Sequence, residues 1–381
     1  MPFKDRVERI LARLEQVLQN PIECVNLYKS EQRTRVVGWL LTDVPEELIH
    51  AAGALPFGIT GSIGGFTWAD AHLQTWACSL MRGCLEIALQ GKLSCLDGLI
   101  IPHTCDTTRN LSGIWKQARP LPWMENFLMP RQVDRPSAKP YLIGEFGRLK
   151  AKLEHCTGNE ITVPRLKESI MLYNQNRLFL RSLFQYHVKN PGILGNRAIY
   201  NIIKSSMVMP KEEHNRLLID LTEVLPPEPE ERASRLRLVL SGKVWEPPEI
   251  MDILDEEQVV VIADDFATGH RYITADVPET GDPIEALADR QINRMPFACY
   301  NTIRYDRRNF LVNLVREKAN GLIFVHFKYC EPENFDYPDM RSALETAGIQ
   351  TLRIETEVGN VSLGQMRTRL QAYLEMLRGG N

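Results

Sequence analysis

Short runs of branched and large apolar residues recur in two separate parts of this 381-residue chain, each near a helical pattern. VVGWLL (36–41) and GLIIP (98–102) read as strands in the first part. Between them, VPEELIHAAG (44–53) opens on a proline and two acids and closes on glycine, and CSLMRGCLEIALQG (78–91) also ends on glycine. These are helix start and stop signals. The last part repeats the order with RLRLVLSG (235–242), a helix opening at PPEIMDILDEE (247–257), and VVVIADD (259–265). GLIFVHF (321–327) and QTLRIE (350–355) add strands, and SLGQMRTRLQAYLEMLRGG (362–380) reads as a closing helix. Strand–helix–strand order narrows the options to parallel sheets with helices on their faces.

The stretch between these parts, about 141–223, is helical. YLIGEFGRLKAKLEH puts Leu142, Phe146, Leu149 and Leu153 on one stripe. Thr162 reads as an N-cap with Pro164 just inside the next helix, which carries Leu166, Ile170, Tyr173, Leu180 and Phe184 as core positions. LPPEPEERAS (225–234), proline-rich and acidic, reads as a linker. The expected fold class is thus α/β, with two Rossmann-like parallel-sheet domains flanking a helical segment. Their bounds are 1–140 (with Cys78 and Cys105), 141–233 (helices and linker) and 234–381 (with Cys330). The two α/β parts share a construction but no internal sequence repeat.

Composition removes several function classes. The formal net charge is -3 and the basic residues are scattered, which disfavours a nucleic-acid partner. No apolar stretch approaches the roughly 20 residues of a membrane helix. Charges interrupt the first 20 residues, where Val7, Ile10, Leu11, Leu14, Val17 and Leu18 follow helical spacing, unlike a signal peptide. A cytoplasmic location is expected, with no membrane partner.

The eight cysteines are therefore expected as thiols, and the absence of a CxxC pair disfavours a zinc ribbon or a thioredoxin-type site. Most are ordinarily small buried apolar residues. Position singles out three. Ligands in open α/β sheets sit beyond the carboxyl ends of the strands. Cys105 lies three residues past GLIIP, Cys330 three past GLIFVHF, and Cys78 opens the helix 78–91, where the dipole favours thiolate. Cys84 and Cys95 fall in a helix interior and a short connection, and Cys24, Cys156 and Cys299 have no comparable placement. Three thiolates suit either zinc with an open fourth position or a [4Fe–4S] cluster with one iron left for another ligand. GSIGGF (61–66) matches neither nucleotide-binding glycine pattern and reads as a backbone turn.

The stretches ADAHLQTWACSLMRGCLEIAL, LDGLIIPHTCDTTRNLSGIW, YNQNR (173–177), ADDFATGHRY (263–272) and FKYCEPENFDYP (327–338) say more. They resemble, in order and over essentially the whole chain, the 2-hydroxyacyl-CoA dehydratase and benzoyl-CoA reductase family. Within it the length and wording look most like the smaller, C-type component of benzoyl-CoA reductase. The resemblance implies an oxygen-sensitive [4Fe–4S] cluster on Cys78, Cys105 and Cys330. It also implies a heterodimeric core with a related subunit and an acyl-CoA substrate. A separate ATP-hydrolysing iron–sulfur activator, fed by ferredoxin, would deliver single electrons, so ATP is not hydrolysed by this chain. The implied activity is ATP- and ferredoxin-dependent reduction of an aryl-CoA ring through a ketyl-type radical. Radical dehydration of an (R)-2-hydroxyacyl-CoA is the alternative, and a non-catalytic cluster scaffold or zinc protein a further one.

Near the three ligands, Arg82 could neutralise cluster or substrate charge, or simply be ion-paired. His103 and Lys328 could donate protons or hold the thioester, or make structural hydrogen bonds. Asp106 could cap the following turn, and Asp264 and Asp265 could touch CoA or a neighbouring subunit.

Overall fold

The computed structural model describes residues 3–40, 43–61, 64–226, 235–295, 298–299, 306–359 and 362–379. Two all-parallel four-stranded sheets form the α/β parts. The first comprises β1 (Arg35–Leu40), β2 (Ala54–Ile59), β3 (Gly98–His103) and β4 (Met124–Leu128), in the order β2-β1-β3-β4. The second comprises β5 (Leu236–Gly242), β6 (Val259–Asp264), β7 (Gly321–Phe327) and β8 (Thr351–Thr356), in the order β6-β5-β7-β8. The two sheets therefore repeat one topology without a repeated sequence.

Continuous apolar runs result from burying both faces of a central strand. Val36, Val37, Trp39 and Leu40 in β1 are buried, as are all seven residues of β7. Sequence patterning misses β2 and β4. The first, ALPFGI, holds Pro56 and Gly58, which read as punctuation, yet an edge strand tolerates both. The second, MENFL, is short, polar and half-buried at the opposite edge.

Helices Ala138–Thr157, Val163–Lys189, Asn196–Ser205 and Lys211–Val224 make the middle layer. Leu142, Phe146, Leu149 and Leu153 are buried along the first, and the Thr162 side chain caps the second through the Arg165 amide. Of the expected linker 225–234, residues 227–234 lie outside the described residues, as does Leu41 at the end of VVGWLL. No helix among the described residues is long and apolar enough to cross a membrane.

In each sheet the chain leaves the inner strand to one side and returns on the other. That reversal opens a crevice at the carboxyl ends of β1 and β3, and of β5 and β7. The two crevices face each other. Arg131 donates to the carbonyls of Thr104, after β3, and Cys299, from the second α/β part, at 2.6 and 3.0 Å. Beyond β8, the Val358 amide donates to Ser79 Oγ in the first part at 2.9 Å. Gly359 comes so close to Gly64 that an added Cβ would stand 2.3 Å from its nitrogen. GSIGGF is thus a close backbone contact between the two α/β parts, with Ser62 and Ile63 outside the described residues.

Candidate functional site: three cysteines at helix N-termini

Cys78, Cys105 and Cys330 share one local position. Each is the N-cap of a helix: Ser79–Leu89, Asp106–Ala118 and Glu331–Thr346. An N-cap side chain faces the unpaired amides of the first turn and the positive end of the helix dipole. Three such ends therefore turn toward the region between the sheets.

Local structure fixes each sulfur. Around Cys105, the Thr108 hydroxyl accepts from the amides of Thr104 and Cys105 at 3.1 Å each and donates to the Cys105 carbonyl at 2.9 Å. Before Cys330, Tyr329 takes a left-handed backbone (φ 61), which a side chain rarely adopts, and swings the chain from β7 into the helix. Cys78 and Cys330 are buried and Cys105 is partly accessible.

The thiols also sense one another. Burial pushes the Cys78 thiol up to about 11, and Cys105 adds to the rise, while the amides of Met81 and Leu80 oppose it. Cys330 is raised well above the ordinary value by burial, then by Glu333 and Cys78. Burial outweighs the opposing charge of Lys243 at both, so a bound metal is what would make thiolates of them.

A cavity of about 550 Å³ opens beside them, lined by the chain before Cys78, by the helix after Cys105, and by Tyr329 and the helix after Cys330. Leu73, Trp76 and Ala77 come from the Cys78 approach, Asp106 and Asn110 from the Cys105 helix, and Tyr329, Asn334 and Phe335 from around Cys330. Trp76, Tyr329 and Phe335 are exposed at its rim.

Soft donors at three converging positive helix ends fit an anionic iron–sulfur cluster. Among the described residues, no three His, Cys, Asp or Glu side chains are gathered closely enough to hold one ion. A four-iron cluster is larger than one ion and spreads its ligating sulfurs more widely.

Residues 41–377 match the family described as 2-hydroxyglutaryl-CoA dehydratase, D-component. The chain belongs to this dehydratase D-component family. It is 31% identical to the lactoyl-CoA dehydratase beta subunit of Anaerotignum propionicum over 98% of this chain and 100% of that one. Identity to the (R)-phenyllactyl-CoA dehydratase beta subunit of Clostridium sporogenes is 30%, over 98% and 97%. The C-type component of benzoyl-CoA reductase from Thauera aromatica is 28% identical over 81% of this chain and 82% of its own length.

In this member of the D-component family, the other sequence candidates divide between ion-paired side chains and residues next to the thiols. Arg82 is buried and donates to Asp70 from Nε at 2.9 Å, with its guanidinium 4.4 Å from the centre of the Phe66 ring. Lys328 points outward and pairs with Glu357 at 3.1 Å. His103, at the end of β3, is kept more neutral by burial and by Arg131 and Arg109. Asp106 is in the first turn of its helix and lines the cavity. Asp264 and Asp265 are buried, so neither is a surface contact: Asp264 holds His270 at 2.9 Å and Asp265 holds Arg307 at 2.9 Å.

Two of the resembling stretches turn out to wire the parts together. In YNQNR, Arg177 pairs with Glu47 at 2.8 Å and Asn174 accepts from the Val277 amide. In ADDFATGHRY, Arg271 reaches Asp43 at 2.9 Å and Tyr272 donates to Glu46 at 2.6 Å. Glu46 and Glu47, legible as helix-start acids, are buried in this network, where burial holds the Glu46 carboxyl above its usual value despite Lys211.

Sequence reasoning set aside one thiol that belongs here. Cys299 is buried, and Lys243 Nζ lies 3.1 Å from its sulfur. Burial raises its pKa, Lys243 opposes, and Cys105 adds to the rise, so it shares the site's electrostatics. Only the fold brings it there, since among the described residues it follows no strand and caps no helix. The position of Lys243, directly after β5, was the one readable hint.

Proposed function

We propose that this chain is the cluster-bearing, beta-type subunit of an (R)-2-hydroxyacyl-CoA dehydratase, with Cys78, Cys105 and Cys330 holding a [4Fe–4S] cluster. The observation that carries the reading is three cysteines, each capping a helix, whose adjoining segments line one cavity. Relatives named as lactoyl- and phenyllactyl-CoA dehydratase beta subunits, matched over nearly their whole lengths, favour the dehydratase over the reductase.

When bound, the cluster supplies single electrons at low potential. The chain's own residues do the rest. Three helix ends stabilise negative charge at the sulfurs, and Leu73, Trp76, Ala77 and Phe335 keep the mouth apolar so that water is held off a charged acyl group. Asp106, Asn110 and Asn334 give polar groups on the same wall. The partners are a related polypeptide that completes a heterodimeric core, an ATP-hydrolysing iron–sulfur activator, ferredoxin upstream of it, and the acyl-CoA.

A second reading, the C-type component of a benzoyl-CoA reductase, is favoured by the Thauera aromatica relative and by aromatic walls that suit an aryl group. Turnover by the complete complex with ATP and a strong reductant separates the two. Catalytic amounts of reductant with a 2-hydroxyacyl-CoA support the dehydratase. Reductant consumed in proportion to product with benzoyl-CoA supports the reductase. A folded, colourless, iron-free protein after anaerobic purification would overturn the cluster and leave zinc or a scaffold.

A further inference from the structure

We propose that Lys243 is a fixed cation beneath the three-cysteine site that raises the reduction potential of the cluster bound there. The inference rests on the cluster reading above and adds to it a residue outside the ligand set.

Its placement follows from topology. Lys243 comes directly after β5, and Cys330 three residues after β7, so they flank the crevice between those adjacent strands. Register sets them level, because Gly242 pairs with Val325 near the carboxyl end of β7. Adding a Cβ to Gly242 would bring it 2.1 Å from the Val325 carbonyl, so the backbone leading to Lys243 lies hard against β7. The Lys243 carbonyl accepts from the Ala267 amide at 2.9 Å, which fixes the turn. From there Nζ reaches the Cys299 sulfur at 3.1 Å.

Among the described residues, several other cations near the site hold carboxylates or carbonyls. Arg307 is held by Asp265, Glu333 and Asp336 at 2.9, 3.0 and 3.0 Å. Arg82 is held by Asp70, Arg131 by two carbonyls, and Lys328 by Glu357 at the surface. Lys243 counts the Cys299 sulfur among its contacts. Burial works against its ammonium, yet Cys299, Cys330 and Cys105 hold its pKa above the ordinary lysine value. Its charge is therefore felt on both sides of the crevice, at a thiol from each sheet. A positive charge beside a cluster favours the form with one more electron, and net charge is one determinant of cluster potential.

The test uses the full chain, purified anaerobically and reconstituted with iron and sulfide. Lys243→Met should keep the iron content of the unaltered chain, since the three proposed ligands remain. Its ratio of reduced to oxidised cluster at a fixed applied potential, read from the electron paramagnetic resonance signal, should fall about tenfold. For one electron that equals a downward midpoint shift of about 59 mV. Lys243→Arg should restore most of the shift. Lys243→Gln, which removes the charge and keeps polarity, carries the same expectation should the methionine variant fail to fold. An unchanged midpoint with iron retained overturns the inference and leaves the cluster reading standing. Loss of iron from folded Lys243→Met also overturns it, by making Lys243 an assembly residue. Absence of iron from the unaltered chain defeats the cluster reading itself.

Discussion

Arg307 is the residue whose removal should report most directly on how the Cys330 arm is held. Its guanidinium joins three elements, contacting Asp265 after β6 and both Glu333 and Asp336 in the helix capped by Cys330. Asp265 and Glu333 are each only 1% exposed. Burial alone would raise Glu333, and Arg307 holds it below the ordinary carboxylate value. His326 is itself pushed down to about 4 by burial, so it is neutral at pH 7 and cannot replace the arginine. In Arg307→Met two buried carboxylates lose their cation, a change that typically costs about 3–5 kcal/mol.

The penalty must depend on pH. In the unaltered chain the depressed Glu333 pKa contributes stability above the unfolded value near 4.3, lost as pH falls through the folded value. In the variant, burial without Arg307 lifts the folded pKa of Glu333 above its unfolded value and raises further that of Asp265, which burial already holds above the ordinary value. The folded state then binds more protons, and its stability falls as pH rises through that window. The gap between variant and unaltered chain should accordingly be widest at pH 7–8 and narrow toward pH 5. Urea midpoints followed by tryptophan fluorescence at pH 7.5 and 5.5 measure it, with Arg307→Lys falling between. A loss under about 1 kcal/mol at pH 7.5, or one unaltered at pH 5.5, would refute the reasoning. Because Glu333 sits in the first turn behind Cys330, the variant should also bind less iron.

Replacing Cys78, Cys105 or Cys330 by serine should lower iron per chain sharply, while Cys24→Ser and Cys84→Ser leave it nearly unchanged; equal loss from all five would show the ligand choice to be mistaken. Thr108→Val leaves the Thr104 and Cys105 amides without their acceptor, so thermal unfolding should register a loss of about 1–3 kcal/mol, with reduced iron retention. Gly359→Ala places a Cβ 2.3 Å from Gly64 and should destabilise by about 1–3 kcal/mol in denaturant melts; a neutral result would mean the two α/β parts do not meet there. Trp76→Ala and Phe335→Ala, both at exposed rim positions, should move stability by less than about 0.5 kcal/mol yet weaken acyl-CoA binding measured by calorimetry on the assembled complex.

Sequence alone determined much of the frame. Branched apolar runs marked six of the eight strands in the described residues, and proline and glycine punctuation marked the helices around them. Rules for strand ends were enough to select Cys105 and Cys330, and the helix-start rule selected Cys78, because these are local properties of a chain. Edge strands β2 and β4 escaped for an equally local reason: an edge need not be apolar or free of proline.

Tertiary structure decided which charges face which. Nothing near Cys299 announces a partner, yet folding lays it against Lys243, 56 residues earlier in the chain. The pairing of Asp43 with Arg271 spans 228 residues, and Arg82 and Lys328 are ion-paired with Asp70 and Glu357. Electrostatic roles depend on distance and burial in three dimensions, and helical or strand periodicity carries neither across such separations. The sequence therefore pointed to three helix-capping cysteines, while only the tertiary packing could set Lys243 against Cys299.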